Sequence, residues 1–151
     1  MHIVLLEPEI PPNTGNVARL CAATRTTLHL IEPLGFRMDD AQVKRAGMDY
    51  WSQVEWRRWP NWSTFEQSLP PPARLWFVES GGPRAYPEAD FLAADYLVFG
   101  RETAGLPHFL LEKNRERWLR IPMLNPESRS LNLSNCVAIV LFEALRQQGF
   151  R

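Results

Sequence analysis

The chain has 151 residues, of which 45% are hydrophobic and 23% charged, the mixture of a globular domain with its own core rather than a disordered tail. Its 17 basic and 17 acidic residues leave no net charge. This disfavours nucleic-acid binding through bulk charge and leaves room only for a local basic patch.

The first element in chain order is a strand at residues 3–6, a short apolar run of the kind buried on both faces of a parallel sheet. The acid and proline that follow, Glu7 and Pro8, come too early for a signal peptide, and no apolar run approaches the roughly 20 residues of a membrane span. Asn13 or Thr14 is placed to cap a helix to residue 25, with Val17, Leu20 and Cys21 on one face. A second strand spans 27–31. Asp39 or Asp40 caps a short helix to residue 46, which Gly47 ends. Residues 54–59 read as strand, and a Ser63-x-x-Glu66 capping box starts a helix to residue 69. Pro70-Pro71-Pro72 is a stiff connector too short to link domains. Strands at 75–78 and 96–99 lead into the Gly81-Gly82-Pro83 turn and Gly100. A last strand at 119–121 ends at Pro122. Residues 132–148 form a strong helix, with Leu133, Val137, Leu141, Ala144 and Leu145 at helical spacing. Strands alternating with helices, without a repeat, predict one α/β domain over residues 1–151. Its sheet is mostly parallel with helices on both faces, and such sheets bind ligands at the carboxyl ends of their strands.

Three loops at those ends carry unusual residues. In the first, Asn13, Gly15 and Asn16 open a helix after a buried strand, which aims backbone N–H groups at an anion. Arg19 follows a turn and a half later. A plain capped helix with a surface arginine gives the same pattern. In the second, Glu102 lies between Gly100 and Gly105, where a carboxylate can meet a cationic or hydroxyl-bearing ligand. An ordinary strand-to-helix turn is the alternative, and the loop is neither a Walker loop nor G-x-G-x-x-G. In the third, Ser130, Asn132 and Ser134 crowd one helix start. A cap needs only one of them, so the surplus points to a ligand.

Taken in order, Asn13-x-Gly-Asn-x-x-Arg19, Gly100-x-Glu-x-x-Gly-Leu-Pro107 and Ile121-Pro-Met…Ser130-x-Asn-Leu-Ser134 resemble the three motifs of the SPOUT (α/β-knot) RNA 2′-O-methyltransferases. The short chain and its Glu7-Pro-Glu-Ile-Pro-Pro-Asn-Thr-Gly-Asn16 opening resemble the branch that methylates the wobble ribose, on cytidine or uridine, of leucine tRNAs. The resemblance implies S-adenosylmethionine as methyl donor, the anticodon stem-loop of tRNA as partner, a homodimer, and a C-terminal trefoil knot. The knot runs against the general rule that connections do not thread. The resemblance further implies a cofactor cradle of backbone near Val78, Gly100, Ile121 and Ser130, and catalytic roles for Arg19, Asn13, Glu102 and Asn132. Arg19 is the implied activator of the hydroxyl and anchor of a phosphate. An arginine stays protonated, so it suits stabilising the forming alkoxide rather than removing the proton. Glu102 is expected to organise its loop and Asn132 to position cofactor or ribose. A dimeric site would combine one subunit's pocket with the other's arginine. Arg101 and Ala104 depart from the residues relatives often carry beside Glu102, and Phe142 stands where some relatives carry tyrosine.

The remaining chemistry-bearing residues read as structural. His2 and His29 fall in strands and His108 near a helix start, poor places for a general base. Lys44, Arg45, Arg57, Arg58 and the Arg115-Glu116-Arg117 stretch are candidate RNA contacts or solvated faces. Trp51, Trp56, Trp59 and Trp62 suit packing, or stacking on an unpaired base. Cys21 and Cys136 lack metal-type spacing, so a reduced, cytoplasmic protein without metal or membrane attachment is expected. Two alternatives stand beside the main reading. One is a ribosomal-RNA 2′-O-methyltransferase of the same superfamily, set lower because the first strand begins at residue 2 or 3, before any added N-terminal domain. The other is a non-catalytic RNA- or nucleotide-binding module, against which Arg19, Glu102, Ser130 and Asn132 together argue.

Overall fold

Alternation along the strands sorts their side chains onto two helix-covered faces of a single sheet. A computed structural model describes residues 1–39, 41–47 and 50–151, so Asp40, one of the two predicted caps of the second helix, lies outside the described residues. The strands are β1 (His2–Leu6), β2 (Thr27–Ile31), β3 (Trp56–Trp59), β4 (Leu75–Val78), β5 (Arg84–Ala85), β6 (Tyr96–Phe99) and β7 (Trp118–Arg120). The helices are α1 (Pro11–Thr24), α2 (Ala41–Gly47), α3 (Trp62–Gln67), α4 (His108–Lys113) and α5 (Leu133–Gln147). The sheet order is β3-β2-β1-β6-β4-β7-β5, with every neighbouring pair parallel.

On one face, Ile3, Leu5, Leu28, Leu30, Leu97 and Phe99 meet Val17, Ala18 and Cys21 of α1 and Val137, Val140, Leu141 and Ala144 of α5. On the other, Val4, Leu6, Ile31, Tyr96 and Val98 meet Phe65 of α3 and Leu110 and Leu111 of α4. Truncating a leucine in such a core to alanine costs about 2–5 kcal/mol. The helix α2 runs against α1. Burial pushes the Cys21 thiol up to about 12, so it stays protonated core filler.

The predicted boundaries shift where caps compete. Asn13 and Thr14 do not cap α1. The helix begins at Pro11 after Ile10, whose side chain makes no cap bond, and both prolines occupy the first turn. Proline suits that position because its φ is preset and the first amides have no intrahelical partner. Asn13 therefore sits inside the helix, buried, with its carboxamide available for tertiary contacts. The Ser63 capping box is replaced by Asn61, whose side chain accepts from Thr64 N at 2.8 Å, and α3 stops at Gln67. The strand predicted from residue 54 begins at Trp56, and β7 ends at Arg120, which leaves Ile121 just past its end. Asn132 caps α5 as expected, through Ser134 N at 2.9 Å. Two-residue β5 was not foreseen, being too short to register as periodicity, and α4 begins at His108, where a helix start was expected without an extent.

From β1 the chain first adds β2 and β3 on one side and then builds β6, β4, β7 and β5 on the other. The order reverses beside β1, so the carboxyl ends of β1, β4, β6 and β7 share the edge where such sheets bind ligands.

Candidate active site

The carboxyl ends of β4, β6 and β7 open into a cavity of about 560 Å³, within the range of small-ligand sites. Val78, Phe99 and Ile121 form an apolar wall, while Glu79, the 100–105 turn and the 129–133 segment supply polar groups. An apolar wall beside carboxylate, hydroxyl and carboxamide side chains suits a small molecule with an apolar part and a polar or charged part.

A hydrogen-bond relay ties the three loops together at this cavity. Glu102 Oε1 accepts from Ile10 N at 3.0 Å and from Asn13 Nδ2 at 3.2 Å, and its Oε2 accepts from Glu9 N at 2.8 Å. Asn13 Oδ1 in turn accepts from Asn132 Nδ2 at 2.9 Å. Asn132 Oδ1 accepts from Ser134 N at 2.9 Å and Ser134 Oγ at 2.6 Å. The ends of the relay fix its polarity. A carboxylate only accepts and a backbone N–H only donates, so each carboxamide between them has one admissible orientation.

The contact between the first two loops is reciprocal. Glu102 takes the amide of Glu9, and the Glu9 carboxylate takes Thr103 N at 3.1 Å and Thr103 Oγ1 at 2.8 Å. Arg101 pairs with Glu7. Glycine is required twice in this turn. A Cβ on Gly100 would lie 2.2 Å from the Gly105 carbonyl carbon, and one on Gly105, at φ +66, would lie 2.0 Å from Glu79 Oε2. Glu79 Oε2 accepts from Leu106 N at 2.9 Å, which fixes the turn to the end of β4. The sequence reading missed Glu79, although a carboxylate directly after a parallel strand was a usable signal. It also missed Cys136, a half-buried thiol in the cavity wall whose pKa is raised by burial and then by Glu79.

Of the predicted site residues, Asn13, Val78, Gly100, Glu102, Ile121, Ser130 and Asn132 all line this cavity. Arg19 does not. It lies exposed on α1, in a separate depression of about 370 Å³ shared with Asn16 and with Ser134 and Asn135 of α5. Its guanidinium carbon is 5.1 Å from the Tyr50 ring centroid. Glu102 faces the first loop's main chain.

Several candidate RNA contacts have acidic neighbours instead: Arg57 with Glu55 at 2.9 Å, Arg58 with Glu32, and Arg115 with Glu112 at 3.3 Å. Lys44 and Arg45 are exposed on α2. His29 is buried and accepts from Trp59 Nε1 at Nδ1, 3.0 Å away, while its Nε2 meets His2 Nδ1 at 3.2 Å. This is core chemistry. Trp59 and Trp62 pack against the second core cluster, whereas Trp56 is partly exposed, edge-on to Trp51. His108 is exposed, 3.6 Å from Glu112. Among the described residues no helix is long and apolar enough to cross a membrane.

The chain matches the SpoU rRNA Methylase family over residues 1–142. It is 52% identical to a tRNA (cytidine(34)-2′-O)-methyltransferase of Burkholderia cenocepacia (strain HI2424), across 99% of this chain and 96% of the relative. A solved structure from work on the 2-OH methylation of C/U34 on tRNA superposes with a TM-score of 0.95 at 45% identity, covering 99% of this chain and 97% of the other. An AdoMet-bound rRNA methyltransferase from Sinorhizobium meliloti superposes with a TM-score of 0.83 at 25% identity, covering 96% of this chain and 55% of that longer one.

Proposed function

The chain belongs to the SpoU rRNA methylase family, and from that premise we propose that it methylates the ribose 2′-hydroxyl of the wobble nucleotide, position 34, of tRNA with S-adenosylmethionine as donor. One observation carries the reading: the Glu102–Asn13–Asn132 relay joins all three motif loops at a single cavity. The chain around that cavity is about half identical, end to end, to proteins named for this reaction.

The bound cofactor supplies an electrophilic methyl group on a sulfonium. Main-chain groups near Val78, Gly100, Ile121 and Ser130 would hold it beside the apolar wall. Glu102 keeps the first two loops in register, and Asn132, oriented by Asn13, positions cofactor or ribose. Holding the hydroxyl in line with the methyl group accounts for much of the rate. Arg19 stabilises the forming alkoxide as the hydroxyl's proton passes to solvent water, and it anchors a neighbouring phosphate.

Because Arg19 sits outside the cavity of its own chain, we read the active unit as a homodimer in which one subunit's arginine serves the other's pocket. The exposed Phe142 and Phe150, with ring centroids 6.3 Å apart on α5 and the residues after it, support an apolar contact on that side. The same reading takes residues 1–151 as one methyltransferase domain, supported by the inclusion of all seven strands in one sheet. It takes leucine tRNAs, through their anticodon stem-loop, as substrates and the cytoplasm as the location. It also takes the C-terminal segment as knotted. In support, the chain leaves β7 beyond β4 and returns to pack α5 on α1 and β6, with residues 129–133 beside the 100–105 turn.

Transfer of a labelled methyl group from S-adenosylmethionine to total tRNA, run beside calorimetric titration of the cofactor, tests this function. Transfer supports it. Cofactor binding without transfer would instead make the protein a binding module.

A further inference from the structure

We infer that Tyr50 is a positioning residue for Arg19, holding the guanidinium over the face of its ring without neutralising the charge that the RNA meets. The inference rests on the role given to Arg19 above.

Most arginines of this chain have an oxygen partner. Arg58 meets Glu32, Arg74 meets Asp95, Arg101 meets Glu7 and Arg146 meets Glu143, while Arg84 and Arg120 donate to main-chain carbonyls. Arg19 differs. Among the described residues its one directed contact is the Tyr50 ring, 5.1 Å from the guanidinium carbon. The difference has a chemical consequence. A carboxylate would neutralise the guanidinium and occupy the in-plane N–H groups that an RNA phosphate or a forming alkoxide needs. An aromatic face attracts the cation without cancelling its charge and without a carboxylate's fixed acceptor oxygens. It also restricts a long side chain that would otherwise lose much rotamer freedom on binding.

Tyr50 is itself firmly presented. Its carbonyl accepts from Gln53 N at 2.9 Å and Val54 N at 3.0 Å, and Val54 is core. The next residue, Trp51, packs on the first core cluster and lies edge-on to Trp56 at the start of β3. The ring thus stands on a turn anchored to the sheet and reaches across to α1.

The test is a double-mutant cycle on the full-length protein, with kcat/KM read on tRNA lacking the ribose methyl at position 34 and cofactor affinity read by calorimetry. Tyr50→Leu should lower kcat/KM roughly tenfold, the scale of losing a cation–π contact, while cofactor affinity and the melting temperature stay near wild type. Tyr50→Phe should recover most of the loss because it keeps the ring. In an Arg19→Ala background, Tyr50→Leu should have no further effect, since the ring then has nothing to hold. Losses that multiply across the two sites would overturn the inference, as would Tyr50→Phe being as poor as Tyr50→Leu. If Tyr50→Leu fails to fold, Tyr50→Met replaces it in the same cycle. Arg19→Ala at the wild-type rate would instead remove the role assigned to Arg19, and this inference with it.

Discussion

Asn132 donates from Nδ2 to Asn13 Oδ1 at 2.9 Å, joining side chains 119 positions apart in the chain. The bond lies in the middle of a relay whose direction is set by the Glu102 carboxylate at one end and the Ser134 amide at the other. Neither carboxamide can rotate without placing two acceptors or two donors face to face.

That polarity makes Asn13→Asp worse than Asn13→Ala. Asn13 is 5% exposed, and the aspartate would set a second carboxylate against Glu102 in a site with little water. We expect a destabilisation of about 3 kcal/mol or more for the aspartate, against about 1–3 kcal/mol for the alanine, which only unpairs the neighbours. Thermal or urea denaturation of both variants measures the order. An aspartate variant as stable as the alanine variant would contradict the assigned direction.

Gly105→Ala and Gly81→Ala separate backbone strain from steric conflict. Both glycines have positive φ, at +66 and +77, but a Cβ on Gly81 meets only Trp118 Cζ2 at 3.6 Å, whereas one on Gly105 meets Glu79 Oε2 at 2.0 Å. Gly81→Ala should cost about 1–2 kcal/mol, the left-handed penalty alone. Gly105→Ala should cost more and weaken cofactor binding, because Glu79 must leave the Leu106 amide. Denaturation and calorimetry on the pair decide this.

Stability should fall in mild acid. Burial first, and then neighbouring positive charge, lowers the pKa of His29 to about 3 and that of His2 to about 4. Trp59 Nε1–H already points at His29 Nδ1, so an added proton there would meet a donor. Unfolding returns both imidazoles to their ordinary pKa near 6.5. Between that pH and the folded values the unfolded chain binds more protons, so stability is full above about pH 6.5 and declines as pH falls. His29 contributes at most about 1.4 kcal/mol per pH unit, and the partly exposed His2 adds less. Melting temperatures measured from pH 7 to pH 4.5 check the sign, and a His2→Ala/His29→Leu double variant should flatten the slope.

Subunit mixing tests the shared site. Arg19→Ala lacks the arginine and Ile121→Trp fills the pocket, so each homodimer should keep only a small residual activity. Mixed dimers hold one site with an intact pocket and an intact arginine, and activity should rise on mixing. Failure to gain any activity after subunit exchange would argue for a site built within one chain.

Most of the sheet was legible because runs such as Ile3-Val4-Leu5-Leu6 and Tyr96-Leu97-Val98-Phe99 have few alternatives to a buried strand. The start of α1 was not. Pro11 and Pro12 read as breakers in isolation, yet both fit a first turn, and this is what frees Asn13 for the relay. Spacing brought Arg19 near the first loop, but it did not reveal that α1 turns the residue away from the cavity toward Tyr50. That depends on which stripe of the helix faces the sheet. Glu79 was overlooked because it lies outside all three motifs, although its place at the end of β4 commits it to the cavity.

The protein should transfer its methyl group to the 2′-hydroxyl of a single nucleotide. Mass mapping of tRNA after incubation with the protein and S-adenosylmethionine tests it most directly. One added methyl should appear on the ribose of nucleotide 34, and far more slowly with Arg19→Ala. An unmodified position 34, or a methyl carried by a base or by another nucleotide, would contradict it.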